Sequence, residues 1–242
     1  MIPMMNHSRP AILIILSFFL IAILTAAAAD RYDDAPYYQW SLAKAVEILN
    51  SPPWASHETF TRVVAGIGSG VSGEKEIYNT FYIRFLSARP IREAYTRVQQ
   101  IQHGYEKLSE EKKKRFDEVM QPKLDTDVKK WLVVAVSFRS NDPNEESAVR
   151  RFLQSQTKET LKTLAFLSTA KNSQIELSAY YPPLEESVGA KFIFPREIAG
   201  APVVTDKTDS ITFELQEVPG ASPRLRATFS VKAMVSKGRV VL

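Results

Sequence analysis

The sequence predicts an α+β fold: a mainly antiparallel sheet or sandwich of about seven or eight strands with three or four packed helices. Two changes of pattern along the chain predict it. Up to about residue 165, apolar residues recur at three- and four-residue steps between strand-like runs; from Gln174 onward the apolar period is two. A third observation agrees: proline and glycine cut this last third into short pieces, as turns between antiparallel strands require.

The first 29 residues stand apart. Arg9 and His7 precede an uncharged run, AILIILSFFLIAIL from Ala11 to Leu24, and the following alanines place small residues at Ala27 and Ala29. A basic start, an apolar stretch and an A-x-A spacing make a secretory signal peptide, cleaved before Asp30. The other reading is an uncleaved anchor, because Pro10 to Ala29 is uncharged and about 20 residues suffice to cross a bilayer. Either way residues 30–242 form one exported α+β domain, in the periplasm or secreted, or held at the inner membrane. Contact with the membrane is expected only through residues 1–29, if they are retained.

In the exported part, Trp40, Ala43, Val46, Ile48 and Leu49 lie near helical spacing, and Asn50-Ser51-Pro52-Pro53 stops the pattern. Trp54 then anchors the helix end on the core. Thr59 to Ile67 and Ile77 to Ala88 have strand composition, the second alternating Phe81, Ile83 and Phe85 with Thr80, Tyr82 and Arg84; the glycine-rich segment between them reads as a hairpin loop. Pro90 opens a helix carrying Ile91, Ala94, Tyr95, Val98 and Ile101. Ser109 is positioned to cap a second short helix, with Phe116, Val119 and Met120, which Pro122 ends.

Trp131 to Phe138 is a continuous apolar run of strand length, the pattern of a central strand buried on both faces. Asp142-Pro143-Asn144-Glu145 starts the longest helix, whose apolar face runs from Val149 to Ala165. Beyond it, Ile175 and Leu177, Phe192 and Phe194, Ile211 to Leu215, and Leu225 to Ala233 alternate as strands. Ser236-Lys237-Gly238 turns Met234 back towards Val240.

Composition narrows the function. The chain of 242 residues is 45% hydrophobic and 24% charged, so it is globular rather than disordered. It has no cysteine, which removes disulfides, thiolate metal sites, cysteine nucleophiles and lipid attachment through cysteine. The net charge of +4 comes from interleaved lysine, arginine and carboxylates, so no nucleic-acid partner is expected.

No catalytic, cofactor-binding or metal-binding set emerges. Gly68 to Gly73 matches G-x-G-x-x-G, but β-patterned aromatic sequence follows it where a phosphate-binding helix would be needed. His57 and His103 are the histidines beyond residue 29, and neither Ser69 nor Ser72 lies in G-x-S-x-G. Asp125-Thr126-Asp127 lacks the further oxygens calcium needs, and Glu185 with Glu186 is one of many carboxylate pairs without a distinguishing spacing. Tyr37, Tyr38, Trp40, Trp54, Tyr180 and Tyr181 read as core and rim packing. Tyr180 to Pro183 and Phe192 to Pro195 are candidates for a proline-stiffened sheet edge that accepts a partner strand.

The stretch WSLAKAVEILNSPPWA from Trp40 to Ala55, FLSARPIREA from Phe85 to Ala94, FIFPR from Phe192 to Arg196 and the terminal VKAMVSKGRVVL resemble uncharacterised secreted proteins of Acidobacteria-like bacteria. The resemblance implies an envelope or secreted protein and assigns no site residues. The expected function is a non-enzymatic envelope protein that binds a protein or cell-wall partner. The alternative is an extracytoplasmic hydrolase that acts on a polymer through dispersed acidic residues.

Overall fold

The structure, a computed structural model, describes residues 35–65, 74–184, 189–236 and 238–242. The segment 1–29, the Gly68–Gly73 motif with Ser69 and Ser72, and Glu185 with Glu186 lie outside the described residues. Those residues form five α-helices and thirteen strands in four sheets, and every strand pairing is antiparallel.

Two sheets make a sandwich. The larger has the order β1 (Ala55–Ala65), β2 (Glu74–Phe85), β3 (Trp131–Ser140), β7 (Ala190–Pro195), β6 (Ala179–Tyr181). The smaller has the order β11 (Arg224–Ser230), β10 (Ser210–Gln216), β4 (Ala165–Ser168), β5 (Ile175–Glu176). Alternation decides which side chains meet. Phe81, Ile83 and Phe85 of β2, Leu132, Val134 and Val136 of β3, and Phe192 and Phe194 of β7 are buried inwards. Phe213 of β10 stands edge-on to both Phe192 and Phe194, with ring centroids 5.3 and 6.3 Å apart, and Phe85 meets Phe229 of β11 at 4.8 Å. One apolar cluster extends from Trp40 to Leu242. The indole of Trp54 donates to the carbonyl of Val241 at 2.6 Å, so the start of β1 is tied to the end of the chain.

The helices pack outside. Ser41 caps α1 (Leu42–Asn50), accepting from the Lys44 amide at 3.1 Å, and the helix buries Ala45 and Ile48. The expected face of Ala43 and Val46 is instead exposed, because Trp40 lies before the helix and does not set its phase. Helix α2 (Arg89–Gln102) carries Pro90 in its first turn and turns Ile91, Ala94 and Val98 to the core. Helix α3 (Glu110–Leu124) runs through Pro122 instead of ending there, and the Ser109 side chain makes no cap. Proline costs this helix one amide hydrogen bond near its end, while the turn beyond it buries Leu124.

Two expectations about the middle of the chain need correction. The long helix is two: α4 (Pro143–Ser155) ends where Thr157 caps a new four-residue helix, α5 (Lys158–Leu161), and Ala165 belongs to β4. The Thr157 and Thr160 side chains each accept from the other's amide, a local arrangement that outcompetes continuation. The count of seven or eight strands also gives way to thirteen among the described residues, seven of which have at least four residues. The additional ones are ladders of two or three residues, too short for a hydrophobic period to register. Among them, β8 (Glu197–Ile198) and β9 (Ala201–Pro202) form a hairpin whose turn residues, Ala199 and Gly200, both have positive φ. The small hairpin of β12 (Val235–Ser236) and β13 (Arg239–Val240) is the turn-back expected near Gly238.

The start of α4 joins the layers. Asp142 accepts from the amides of Asn144 and Glu145 and pairs with Lys75 at 2.8 Å; these contacts hold its carboxyl below the usual range. Glu145 pairs with Arg62 and accepts from Asn79, whose own side-chain oxygen accepts from Ser140 at 2.8 Å.

Phe213 is fully buried between the sheets. Phe213→Ala is therefore expected to lower unfolding free energy by about 3–5 kcal/mol, and Phe213→Leu by less than about 1.5 kcal/mol. Urea denaturation followed by tryptophan fluorescence measures both.

Candidate functional site: a cavity on the outer face of the large sheet

Because Phe192, Phe194, Val134 and Val136 point into the sandwich, their neighbours point the other way. The register places Val133 opposite Ile193 and Ile193 opposite Ala179 in one outward row. The next row runs Arg84, Ala135, Lys191, Tyr181 across β2, β3, β7 and β6. Helix α2 and the end of α3 stand over this face without filling it. They leave an open cavity of about 520 Å³, within the size range of roughly 300–1,000 Å³ common for small-molecule sites.

The cavity is largely apolar. Its floor is Val133 and Ile193; Leu86, Tyr95 and Val128 close one side, and Tyr181, Pro182 and Leu184 from the β6–β7 connection close the other. Tyr181 and Leu184 are 58% and 73% exposed, large apolar side chains presented to solvent at its mouth. The charged residues among the described lining residues are Arg92, Lys123 and Lys191, and no carboxylate or histidine is among these described residues.

These cations differ in their engagement. Arg92 is a clamp: its guanidinium donates to the carbonyls of Leu86, Ser87 and Leu124 at 2.7–2.9 Å, joining the end of β2 to the end of α3. Arg84, one row away, donates to Leu49 O, Asn50 Oδ1 and Ser137 Oγ at 2.6–2.7 Å and lies 5.0 Å from the centre of the Tyr82 ring. Burial lowers its pKa to about 10, since all three acceptors are neutral and none offsets the lost hydration of the charge. Lys191 is half-buried, Lys123 is exposed with its ammonium 3.9 Å from the Met120 sulfur, and neither pairs with a carboxylate among the described residues.

Backbone geometry fixes the edge of the site. Gly189, at φ +114°, enters β7 so close to β3 that a Cβ there would stand 2.1 Å from the Val136 carbonyl oxygen. No side chain fits. A smaller cavity of about 130 Å³ lies beyond it, sharing Leu184, but its charges are satisfied internally: Glu146 takes both Arg139 and Arg150.

The other residues singled out by sequence do not converge. His57 is exposed on the edge strand β1, its Nδ1 3.3 Å from Asn50 O, while His103 ends α2 beside the Phe116 ring. Asp125 accepts from Gln121 and Asp127 from the Lys129 amide, so both serve the end of α3. Among the described residues no group of three or more histidine and carboxylate side chains is placed to hold a metal ion. Glu58 is the one carboxylate among them whose pKa is raised, by burial, and it lies outside the cavity lining.

The aromatic set separates too. Trp40 and Trp54 are core, Tyr37 packs on Trp40, and Tyr180 donates to Leu153 O at 2.5 Å. Tyr181 alone of the six lines the cavity. Of the two candidate edges, β6 is an edge strand, whereas Phe192 to Pro195 is interior, flanked by β3 and β6. Comparison with protein families, with curated proteins and with solved structures finds no match to the chain.

If Arg92 clamps the cavity wall, Arg92→Ala leaves three carbonyls short of a donor. The expected loss of stability is about 1–3 kcal/mol. Arg92→Lys, with one point donor instead of a planar fork, should fall between the two in chemical denaturation.

Proposed function

We propose that the chain is an exported, non-enzymatic binding protein of the cell envelope that receives an apolar group of its partner in the cavity under α2. The observation that carries this reading is the lining itself: a wide apolar surface with cations and without a described carboxylate or histidine. Recognition needs such a surface, whereas polymer hydrolysis needs a proton donor and acceptor at the reacting bond. The export part of the proposal rests on the basic, apolar and alanine-rich order of residues 1–29. Among the described residues no helix is long and apolar enough to cross a membrane, so anchoring falls to that same segment.

A neutral, environment-sensitive dye such as N-phenyl-1-naphthylamine tests the cavity. With the chain expressed from Met1, its fluorescence should rise saturably with one site per chain. Ile193→Trp and Val133→Phe, which fill the floor, should abolish the rise without moving the thermal midpoint. Undiminished dye binding in both variants, or turnover of an envelope polysaccharide by the wild type, would reject the reading. Intact mass of the isolated protein reports export: a chain beginning at Asp30 outside the cytoplasm is expected, and a full-length cytoplasmic chain contradicts it.

A further inference from the structure

Two lysines of the cavity lining, Lys191 and Lys123, have no carboxylate partner among the described residues. Arg84 and Lys191 lie in the same outward row, separated by Ala135. Lys191 is half-buried, so its charge is partly removed from water. Arg84, outside the lining, has neutral acceptors for its donors; Lys191 has no acceptor among the described residues and lines the cavity together with Lys123. An anion in the cavity would offset that cost.

The rest of the surface says what kind of anion. The floor is branched aliphatic and the walls add two tyrosines and Pro182; among the described lining residues Arg92 and Thr126 donate to backbone carbonyls, and Lys123 and Lys191 are the remaining cations. A ligand must therefore bring an apolar body and one compact negative head. We propose that the cavity binds a hydrophobic carboxylate, its apolar body over Val133 and Ile193 and its carboxylate on Lys191, with Lys123 adding to the attraction at the mouth. This inference rests on the binding function proposed above and gives it a ligand class.

Isothermal titration of the chain expressed from Met1 with decanoate and with the isosteric neutral decanol, both below their aggregation limits, tests it. Decanoate should bind at one site, about tenfold or more tighter than decanol, the return expected of one partly buried charge-assisted contact. Lys191→Gln should weaken decanoate by about the same factor and leave decanol unchanged; Lys191→Arg should restore most of the difference. Added salt should weaken decanoate alone. Equal binding of decanoate and decanol, or indifference of decanoate to Lys191→Gln, overturns the carboxylate assignment while the cavity still binds. Failure of both ligands and of the neutral dye removes the binding function itself.

Discussion

Strand alternation across β3 and β7 is the constraint from which the rest of the molecule follows. Once Val134, Val136, Phe192 and Phe194 are committed to the phenylalanine layer beneath Phe213, the outward set is fixed residue by residue. Val133, Ile193 and Lys191 owe their common face to that choice. A slip of one residue would send the lysine into the core, a penalty large enough to hold the register firmly. The site is thus a by-product of the core: the same pairing that closes the sandwich arranges an apolar floor and a cation side by side on its back.

Electrostatics on that back face is unusual because hydrogen bonding and charge balance have come apart. Arg84 has its donors satisfied by two groups at the end of α1 and by Ser137, and Arg92 by three carbonyls. For Arg84 this satisfies geometry without neutralising charge. Elsewhere the molecule pairs its ions in the ordinary way, as at Lys75 with Asp142 and Lys232 with Asp209. Among the described residues, then, Arg84 on the outer face of β2 has hydrogen-bond partners and no carboxylate partner.

Much of the framework was legible in the sequence. The period-two runs gave β7, β10 and β11, the apolar run gave the central β3, and Asp142-Pro143 marked the start of α4. Failures came where a local hydrogen bond or a tertiary anchor outweighed pattern: Thr157 restarting a helix, Leu124 drawing α3 past Pro122, and ladders of two residues that have no period. The cavity was harder to foresee. Its floor comes from strands whose outward positions look like buried ones, since Val133 sits in a run that is apolar throughout. Tyr181 and Pro182 were visible as an exposed, stiffened segment. Their meeting with Tyr95 depends on where α2 lies over the sheet, which no spacing within a single element reports.

The hydrogen bond from Trp54 to Val241 spans 187 positions of sequence. In synthesis Trp54 precedes its acceptor by that distance, so the indole has no native carbonyl to meet until Val241 is made. The Arg92 clamp is complete once Leu124 has been made, while the seam beside Trp54 waits for Val241. Contacts of such separation are costly to close early and form late. The Arg92 clamp therefore has a short loop to close and the Trp54 seam a long one.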